Sequence, residues 1–470
     1  MIQRTLEQIC SMIDDAELRT PIQALKVVGV STDTRTIKDG NLFVSLIGSH
    51  YDGHEYALQA YEDGAVAIVW QRDHDPATIP VEIPLILVDN TLEALQQLAA
   101  AYRNQLSVRV IGITGRNGKT STKDMVASVM ATQFRVHKTR GNLNNHIGLP
   151  QTLLQMDEAT EIAVVEMGMS GRGEIELLSK IALPDAVIIT NVGEAHMLQL
   201  GTREEIANAK FEIIAGLRSD GVLIYLGDEP LLQQLVEEND QQGAQIITFG
   251  LDAEVNDYYP SEIHVQADRT NFAVNVNVKG NSSPLTKLAI PLLGRHNVIN
   301  ALAAIAVAQW FGLNEVLIRS GLQQTVPTGM RIELLHASNG LSILNDAYNA
   351  SPASMKAAIQ LLDELQGYRH KIVVLGDMLE LGPQSESYHR DIGKLLNSLS
   401  FSYIFTFGEM ASYIADECRA MYSLNRVVAT NDKADLIKQV AAVAMPQDIV
   451  LVKASRGKRL EELVEALMSG

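Results

Sequence analysis

The stretch VIGITGRNGKTSTKDM, residues 110–125, joins an apolar run to a glycine-bearing turn and then to a Lys-Thr pair. Backbone N–H groups of such a turn, together with the N-terminus of the helix that follows it, can hold phosphate oxygens. The side chain of Lys119 can neutralise β- and γ-phosphates, and the Thr120 hydroxyl can bind a magnesium ion. These residue types therefore predict a site for nucleotide phosphates.

The spacing within this loop is shorter than usual. The common phosphate loop has four residues between its first glycine and its Gly-Lys pair, whereas only Arg116 and Asn117 separate Gly115 from Gly118 here. The alternative interpretation is a glycine turn that merely starts a helix. We favour phosphate binding, because a Lys-Thr pair follows Gly118 directly.

Three further residues are candidate ligands of a magnesium ion beside the phosphates. Glu166 ends the apolar run IAVVE, where an oxygen ligand would stand; His196 lies in TNVGEAHM and Lys210 in ANAKFEI. Each has a structural alternative: a capping carboxylate, a loop histidine and a solvated helix lysine. Spacing alone does not decide between these alternatives and a role at the metal.

The composition excludes several classes of protein. A net charge of −18 over 470 residues argues against a general binder of nucleic acid or membrane surfaces, which needs a cationic face. Cys10 and Cys418 cannot build a disulfide framework, which favours a reducing cytoplasm. The N-terminus lacks the apolar core of a signal peptide, and the longest apolar run, residues 301–313, is too short to span a bilayer. We expect a soluble cytoplasmic protein of roughly two to four domains.

Apolar, β-branched runs in the middle of the chain predict a sheet. VRVIGITG, IAVVEMG, DAVIITNVG and GVLIYLGD each end in glycine or polar residues, and helical stretches separate them. Such runs indicate a parallel sheet that is covered on both faces. NFAVNVNVKG instead alternates from Phe272 to Val278, which predicts an antiparallel strand of a small added sheet. Helices are expected at about 92–105 and 297–311.

The order of these patterns predicts three domains. Residues 1–88 mix short β-like runs with a helix near 55–61, and residues 89–326 carry the phosphate loop and the parallel sheet. After TVPTGMRIE, the runs LSILNDAYN, KIVVLGD, YIFTFG, RVVAT and DIVLVKAS predict a five-stranded Rossmann-like domain over 327–470. Ligands of such sheets bind beyond the carboxyl ends of the strands, which places NDAYN, GDMLELG and KASR around one crevice.

The motifs together resemble the Mur ligase superfamily. The resemblance rests on ITGRNGKTST, TRGNLNNHIGLP, VVEMGMSGRGEI, TNVGEAHM, AKFEI, LGRHNVINALAA and NDAYNASPASM, which follow the family's order from about residue 31 to residue 456. The family's phosphate loop has the same short form. STDTRTIKDGNLFVSLIG, YDGHEYALQAYEDGA, DAYNASP and VLGDMLELG are most similar to the branch that adds D-alanyl-D-alanine.

The resemblance implies an ATP-dependent ligase of cytoplasmic peptidoglycan precursor synthesis. In that branch, ATP phosphorylates the terminal carboxylate of UDP-N-acetylmuramoyl-tripeptide, and the amine of D-alanyl-D-alanine attacks the acyl phosphate. Positioning and charge stabilisation would dominate the catalysis. The implied cofactors are ATP and two magnesium ions, and the implied partners are the two small-molecule substrates. We expect neither a nucleic-acid partner nor stable membrane insertion, and we expect a monomer.

The resemblance also implies a catalytic and cofactor-binding set. Thr120 and Glu166 would hold one magnesium ion, and His196 and an N6-carboxylated Lys210 would hold the second. A carboxylated lysine requires a neutral amine, so the site must lower the pKa of that lysine. Arg331 would reach a phosphate, Asp346 the ribose and Asn300 the adenine, although helix capping is the alternative for Asn300 and its neighbours His296 and Asn297. The implied catalytic residues are Lys119, Lys210, His196 and Arg331, and the implied cofactor-binding residues are Gly115, Asn117, Gly118, Lys119, Thr120, Ser121, Asn300, Arg331 and Asp346.

The implied substrate residues fall into three groups. A uridine loop in the first domain, which could otherwise be a simple polar turn, holds Ser31, Asp33 and Arg35. The path of the sugar and pyrophosphate holds Asn142, Asn145 and His146. Tyr348 and Asn349 form a wall beside the ribose, and the dipeptide subsite of the third domain holds Asp377, Glu380, Lys453, Ser455 and Arg456.

Other functions are weighed against this interpretation. A sister ligase that adds one amino acid fits DAYNASP and GDMLELG less well, and folylpolyglutamate synthase would leave the STDTR-bearing domain without a purpose. A GTPase-type switch needs an Asn-Lys-x-Asp element, which the sequence lacks. The third residue of the tripeptide, diaminopimelate or lysine, is not readable from the sequence.

Overall fold

The computed structural model describes residues 1–19, 24–193, 200–239, 243–266, 268–277 and 284–469. Over these residues the chain forms sheets of five, nine and six strands, in that order along the sequence, and a two-stranded pair near the N-terminus. Helices pack on the sheets. The predicted mixed α/β class, with a parallel central sheet and a small antiparallel extension, is confirmed.

The N-terminal region is built on the five-stranded sheet, in the order β2-β7-β6-β5-β4. Only the pair β2–β7 is antiparallel. The strands of the whole N-terminal region, including the separate β1–β3 pair, are β1 Gln3–Thr5, β2 Glu17–Leu18, β3 Lys26–Val28, β4 Val30–Ser31, β5 Asn41–Val44, β6 Ala65–Gln71 and β7 Leu85–Val88. The helices of this region are α1 Leu6–Cys10, α2 Ala57–Glu62 and α3 Thr91–Gln105.

The central region holds the nine-stranded sheet, in the order β16-β15-β14-β13-β12-β11-β8-β10-β9. Strands β8 to β14 run parallel, and β14, β15 and β16 form the antiparallel extension. The strands are β8 Arg109–Thr114, β9 Val136–Lys138, β10 Ile162–Glu166, β11 Ala186–Ile189, β12 Val222–Leu226, β13 Gln245–Phe249, β14 Tyr258–Val265, β15 Thr270–Val276 and β16 Leu285–Ile290. The helices are α4 Lys119–Met130, α5 Gly148–Leu154, α6 Glu174–Ala182, α7 Arg203–Phe211, α8 Pro230–Glu238, α9 Arg295–Trp310 and α10 Glu315–Gln323.

The C-terminal region holds the six-stranded sheet, in the order β17-β18-β22-β19-β20-β21. Its strands are β17 Glu333–His336, β18 Ser342–Asp346, β19 Lys371–Gly376, β20 Tyr403–Phe407, β21 Val427–Thr430 and β22 Ile449–Lys453. Its helices are α11 Pro352–Glu364, α12 Ser385–Asn397, α13 Ser412–Cys418, α14 Lys433–Val443 and α15 Glu461–Ser469. The prediction of five strands omitted β17, an antiparallel edge strand that is only half-buried and follows a Pro/Gly segment.

Apolar side chains pack on both faces of the large sheets. One cluster joins Ile2 and Leu6 of the N-terminal region to α3 and to Leu149 of α5, so the first two regions share a core. The opposite face of the nine-stranded sheet buries α9, which explains the longest apolar run of the sequence as a core helix. No helix in the described part of the chain is both long enough and apolar enough to cross a membrane.

A buried charge cluster ties the helix of the phosphate loop to the linker that leads to the C-terminal sheet. The N–H and hydroxyl of Thr328 donate to Asp124 Oδ2 at 2.8 and 2.7 Å, and Lys138 donates to Asp124 Oδ1 at 2.7 Å. The buried Lys123 lies 3.6 Å from the same carboxylate. Burial opposes ionisation of Asp124, but the two lysines outweigh burial and hold its pKa below the usual value. Helix α4 therefore anchors both the loop and the linker.

A second charge cluster lies in the N-terminal region, where Asp52, His54 and His74 bring ligand-type atoms within 4.8 Å of one another. His54 Nε2 accepts the N–H of Gln71 at 3.1 Å, so Nδ1 carries the proton and donates to Asp52 Oδ1 at 2.6 Å. His74 contacts Asp52 through Nε2 at 2.8 Å and Asp73 through Nδ1 at 2.6 Å. The histidine nitrogens are thus engaged in hydrogen bonds, and the cluster acts as a protein cross-link.

The cross-link predicts pH-dependent stability. The hydrogen bond to Asp52 raises the pKa of His74, with Asp73 adding to it, so the charged ring stabilises the fold at low pH. This stabilisation is fully present below the unfolded pKa and is lost as pH rises through the higher folded pKa. His74→Gln should therefore lose more unfolding free energy at pH 6 than at pH 9, by less than about 1 kcal/mol at this half-exposed site. Denaturant unfolding of both proteins at both pH values measures the difference, and an equal loss at the two pH values would contradict the charged cross-link.

Candidate active site

The phosphate loop connects β8 to α4 and depends on two glycines with positive φ. Gly115 has φ +141° and Gly118 has φ +82°. A Cβ at Gly115 would overlap Thr190 Oγ1, and a Cβ at Gly118 would overlap Asn300 Oδ1. The two glycines therefore satisfy both the turn geometry and a close approach of neighbouring polar side chains.

The two residues that follow β11, Thr190 and Asn191, hold the phosphate loop by hydrogen bonds. Asn191 Oδ1 accepts the N–H groups of Arg116 and Asn117 at 3.1 and 2.9 Å. The Asn117 carbonyl accepts from Thr190 Oγ1 at 2.7 Å and from Asn191 Nδ2 at 2.9 Å. The first N–H groups of α4 have no acceptor within the helix, and that end of α4 opens onto a cavity lined by Gly118. This is the arrangement that phosphate oxygens require.

Glu166, at the end of β10, stands beside the first turn of α4. Its Oε2 accepts from the Thr120 hydroxyl at 3.0 Å, and its Oε1 accepts from Asn144 Nδ2 at 2.9 Å. Its own N–H donates to Thr139 Oγ1 at 3.0 Å. A hydroxyl and a carboxylate at this separation form a pair of oxygen donors of the type that magnesium prefers.

Lys119, the first residue of α4, lines the cavity. Its Nζ donates to the carbonyl of Gly115 at 2.7 Å. Burial lowers the pKa of Lys119 to about 8; Glu166 opposes this shift, and the guanidinium groups of Arg116 and Arg331 add to it. A lysine surrounded by cations in this way is best stabilised by an anion, which would restore its usual pKa.

The C-terminal sheet supplies the facing wall. Asp346 and Lys453 end the neighbouring parallel strands β18 and β22, and Lys453 Nζ lies 2.5 Å from Asp346 Oδ2 and 2.9 Å from the carbonyl of Asn349. The Arg331 guanidinium stacks over the Tyr348 ring at 4.2 Å. Burial raises the pKa of Asp346, although Lys453 opposes the shift. The carboxyl ends of two sheets therefore meet across one cleft.

The cleft encloses a cavity of about 550 Å³. At one end, Asn300 Nδ2 donates to Asn297 Oδ1 at 3.3 Å. Burial, with the charge of Lys453, lowers the pKa of His296 to about 4, so this ring is neutral near pH 7. Of the residues singled out in the sequence, the cavity is lined by Asn117, Gly118, Lys119, Thr120, Ser121, Asn145, Glu166, His296, Asn297, Asn300, Arg331, Asp346, Tyr348, Asn349, Glu380 and Lys453.

A second cavity, of about 1,100 Å³, lies between the N-terminal and central regions. Ser31 lines it from the end of β4, Asp33 from the N-cap of the 3₁₀ turn that follows, and Asn142 from the loop before α5. Gln151 Nε2 donates to Thr32 Oγ1 at 2.6 Å across the interface. Asn145 lines both cavities, so the two spaces meet at this residue.

Other predicted site residues lie outside the lining of both cavities. Arg35 is exposed and paired with Asp33 at 2.6 Å, and His146 accepts Gln96 Nε2 through its backbone carbonyl at 3.0 Å. In the C-terminal region, Asp377 pairs with Lys458 at 2.5 Å, Ser455 accepts the N–H of Leu379 at 2.9 Å, and Arg456 pairs with Glu461 at 3.0 Å. Arg456 also lies 6.0 Å from the Tyr348 ring.

Lys210 lies on α7 and is buried. Burial lowers its pKa well below the usual value, and the charges of Lys119 and Arg116 lower it further. Both effects favour the neutral form of the amine. The predicted partner of Lys210, His196, lies outside the described residues.

Sequence reasoning missed the amides that organise the site. Asn144 orients Glu166, and Asn191 with Thr190 holds the phosphate loop. The available signal was position: Thr190 and Asn191 are the first two residues after β11, a buried strand next to β8, where a parallel sheet places its ligand-facing loops. Asn144 gave no signal beyond its place in an asparagine-rich loop.

The geometry of Gly118 predicts the effect of adding a methyl group. Gly118→Ala should weaken binding of magnesium ADP about tenfold or more, a loss of at least ~1.4 kcal/mol, because the new Cβ displaces Asn300. Gly312→Ala is the matched control, since its φ of +84° is nearly the same and its Cβ would meet open space. Both variants should lose about 1–2 kcal/mol of folding stability through backbone strain. Titration calorimetry measures the affinities, and unchanged ADP binding by Gly118→Ala would contradict this assignment.

Known proteins provide an independent comparison. Three family models match the chain: "Mur ligase family, catalytic domain" over 26–103, "Mur ligase middle domain" over 113–308, and "Mur ligase, glutamate ligase domain" over 330–456. UDP-N-acetylmuramoyl-tripeptide–D-alanyl-D-alanine ligase of Bacillus subtilis is 48% identical, over 100% of this chain and 99% of that protein.

Solved structures agree with the sequence comparison. MurF from Acinetobacter baumannii shares 31% identity and superposes with a TM-score of 0.87, over 100% of both chains. MurF ligase from Thermotoga maritima, solved in complex with ADP, shares 28% identity with a TM-score of 0.79, over 94% of this chain and 97% of that one. This chain belongs to the Mur ligase family.

Proposed function

We propose that this chain is an ATP-dependent ligase that joins D-alanyl-D-alanine to UDP-N-acetylmuramoyl-tripeptide. The observation that carries the proposal is the meeting of two cavities at Asn145. One cavity is built around a phosphate loop, and the other lies between the N-terminal and central regions. A long substrate with a nucleotide at one end and a peptide carboxylate at the other fits this arrangement. The relatives named for this reaction match the chain over nearly its full length.

ATP is assigned to the 550 Å³ cavity. Its phosphates would lie against Gly118 and Lys119, its ribose near Asp346 and its adenine near Asn300. The ADP complex of the Thermotoga maritima relative supports nucleotide binding in this family. Arg331 would contact a phosphate from the C-terminal side, which links closure of the cleft to a bound nucleotide.

Two magnesium ions are part of the proposal. The Thr120 hydroxyl and the Glu166 carboxylate, 3.0 Å apart, fit the first ion as oxygen donors. The second ion is assigned to His196 and Lys210, the latter carboxylated to an anionic ligand. The depressed pKa of Lys210 fits that modification, because only a neutral amine reacts with carbon dioxide. Bound magnesium would neutralise phosphate charge during transfer.

The reaction divides into two steps. In the first, the terminal carboxylate oxygen bonds to the γ-phosphorus of ATP, the bond from that phosphorus to the β-phosphate oxygen breaks, and ADP leaves. Lys119 and Arg331 stabilise the transferred charge. In the second, the dipeptide amine attacks the acyl carbon and loses a proton. The tetrahedral intermediate then expels inorganic phosphate, which leaves the amide. Closure over the acyl phosphate would exclude water, which otherwise hydrolyses it.

The substrate residues keep their predicted assignments as part of this proposal. The uridine diphosphate end is assigned to the 1,100 Å³ cavity near Ser31 and Asp33, and the sugar and pyrophosphate to the path past Asn142 and Asn145. The dipeptide is assigned to the C-terminal side, near Glu380 and Lys453 of the first cavity. Arg35, His146, Asp377, Ser455 and Arg456 would contribute only after rearrangement, because their side chains are engaged elsewhere or lie outside the cavity linings.

The proposal also covers the domain limits, the cellular location and the oligomeric state. The division into domains is set at 1–88, 89–326 and 327–470, consistent with sheets that lie wholly within these limits. The protein would act in the cytoplasm, where its nucleotide-linked substrate is made. It would act as a monomer.

The proposed reaction predicts strict substrate dependence. Inorganic phosphate should be released only when magnesium ATP, the UDP-tripeptide and D-alanyl-D-alanine are all present, and chelation of magnesium should abolish the release. Phosphate colorimetry with each component omitted in turn measures this dependence. Release with a single D- or L-amino acid in place of the dipeptide would instead favour a sister ligase.

The assignment of Lys210 predicts a chemical rescue. Lys210→Ala should lose about 10²-fold in turnover, the scale of a perturbed metal site. Short-chain carboxylates in solution should restore part of the activity, because they replace the missing carbamate oxygens. Lys180→Ala, on the exposed face of α6, is the matched control and should keep full activity. Normal turnover of Lys210→Ala, or loss without any rescue, would contradict the second metal site.

A further inference from the structure

Arg116 is one of the two residues between the glycines of the shortened phosphate loop, and its side chain has no role in the proposed reaction steps. Its backbone is fixed by Asn191, and its side chain runs along Gly193, where an added Cβ would lie 2.7 Å from Arg116 Cγ. Only a glycine at 193 leaves room for this path. The side chain is therefore held in a defined direction.

The Arg116 guanidinium is poorly neutralised. Its Nε is buried and has no hydrogen-bond partner among the described residues. Burial lowers the pKa of Arg116, and Glu380 of the facing C-terminal region partly opposes this shift. Both residues line the 550 Å³ cavity. A partly buried guanidinium whose buried Nε–H has no acceptor is costly unless an anion completes it.

The position of Arg116 along the cavity identifies which anion it meets. The adenine end is marked by Asn300, which touches Gly118 on one side of the loop. Arg116 instead packs against Gly193, and the charge of Glu380 acts on its guanidinium. With the adenine assigned to Asn300 and the other phosphates to Lys119, the last phosphate of the nucleotide would lie nearest Arg116.

We propose that Arg116 is a catalytic residue that contacts the γ-phosphoryl group and its transferred form, the acyl phosphate, while Glu380 holds its guanidinium across the cleft. This inference rests on the proposed function. Arg116 would donate Nε–H and terminal N–H groups to the equatorial phosphoryl oxygens, where charge accumulates during transfer. It neither gains nor loses a covalent bond in the reaction.

The inference is tested by comparing two nucleotides that differ in the last phosphate. Dissociation constants of magnesium ADP and of magnesium β,γ-methylene-ATP are measured by calorimetry for the unaltered chain, Arg116→Gln and Arg116→Lys. Arg116→Gln should weaken the triphosphate analogue tenfold or more and ADP less than threefold. Arg116→Lys, which keeps the charge and loses the fork of donors, should fall between. Turnover should follow the same order.

Arg419→Gln serves as the matched control. Arg419 pairs with Asp416 on the surface of the C-terminal region and carries the same charge, so its loss should change neither nucleotide's affinity. Equal weakening of ADP and the analogue, no change in either, or failure of both Arg116 variants to fold would overturn the inference and assign Arg116 a structural role. Failure of the unaltered chain to bind either nucleotide would instead refute the proposed function itself.

Discussion

The clustering of three cations, Arg116, Lys119 and Arg331, beside the phosphate loop is the constraint on which the rest of the site depends. Burial, with the added charges of Arg116 and Arg331, lowers the pKa of Lys119 to about 8. The carboxylate of Glu166 offsets only part of this charge, and it is already engaged by Thr120 and Asn144. A folded protein tolerates such an arrangement when a polyanion completes it. The cavity is therefore organised for its ligand before the ligand arrives.

The fold places these charges by joining carboxyl ends of parallel strands from two sheets. Strands β8, β10 and β11 bring the phosphate loop, Glu166 and the supporting Asn191 to one edge. Strands β18 and β22 bring Asp346 and Lys453 to the facing edge. The linker between the two sheets is fixed to α4 through Asp124, the same helix that begins at the phosphate loop. Helix α4 would therefore contact the nucleotide through its N-terminus, and it also holds the linker that orients the C-terminal region.

Local sequence patterns were enough to predict those features that depend only on neighbouring residues. The phosphate loop, the strand-end Glu166 and the helix at 297–311, observed as Arg295–Trp310, follow from spacing, β-branched runs and apolar periodicity. Asn144 and Asn191 could not be predicted, because their hydrogen bonds join loops that only tertiary packing brings together. The sequence likewise could not show that Asp377 pairs with Lys458.

If the cations clustered beside the phosphate loop form a polyphosphate site, thermal unfolding with fragments of the nucleotide is the most direct measurement of it. Magnesium tripolyphosphate carries the charge without the base, and adenosine carries the base without the charge. Saturating tripolyphosphate should raise the Tm of the protein, since it binds only the folded state, and adenosine at the same concentration should raise the Tm much less. A Tm that rises with adenosine but not with tripolyphosphate would rule out a polyphosphate site.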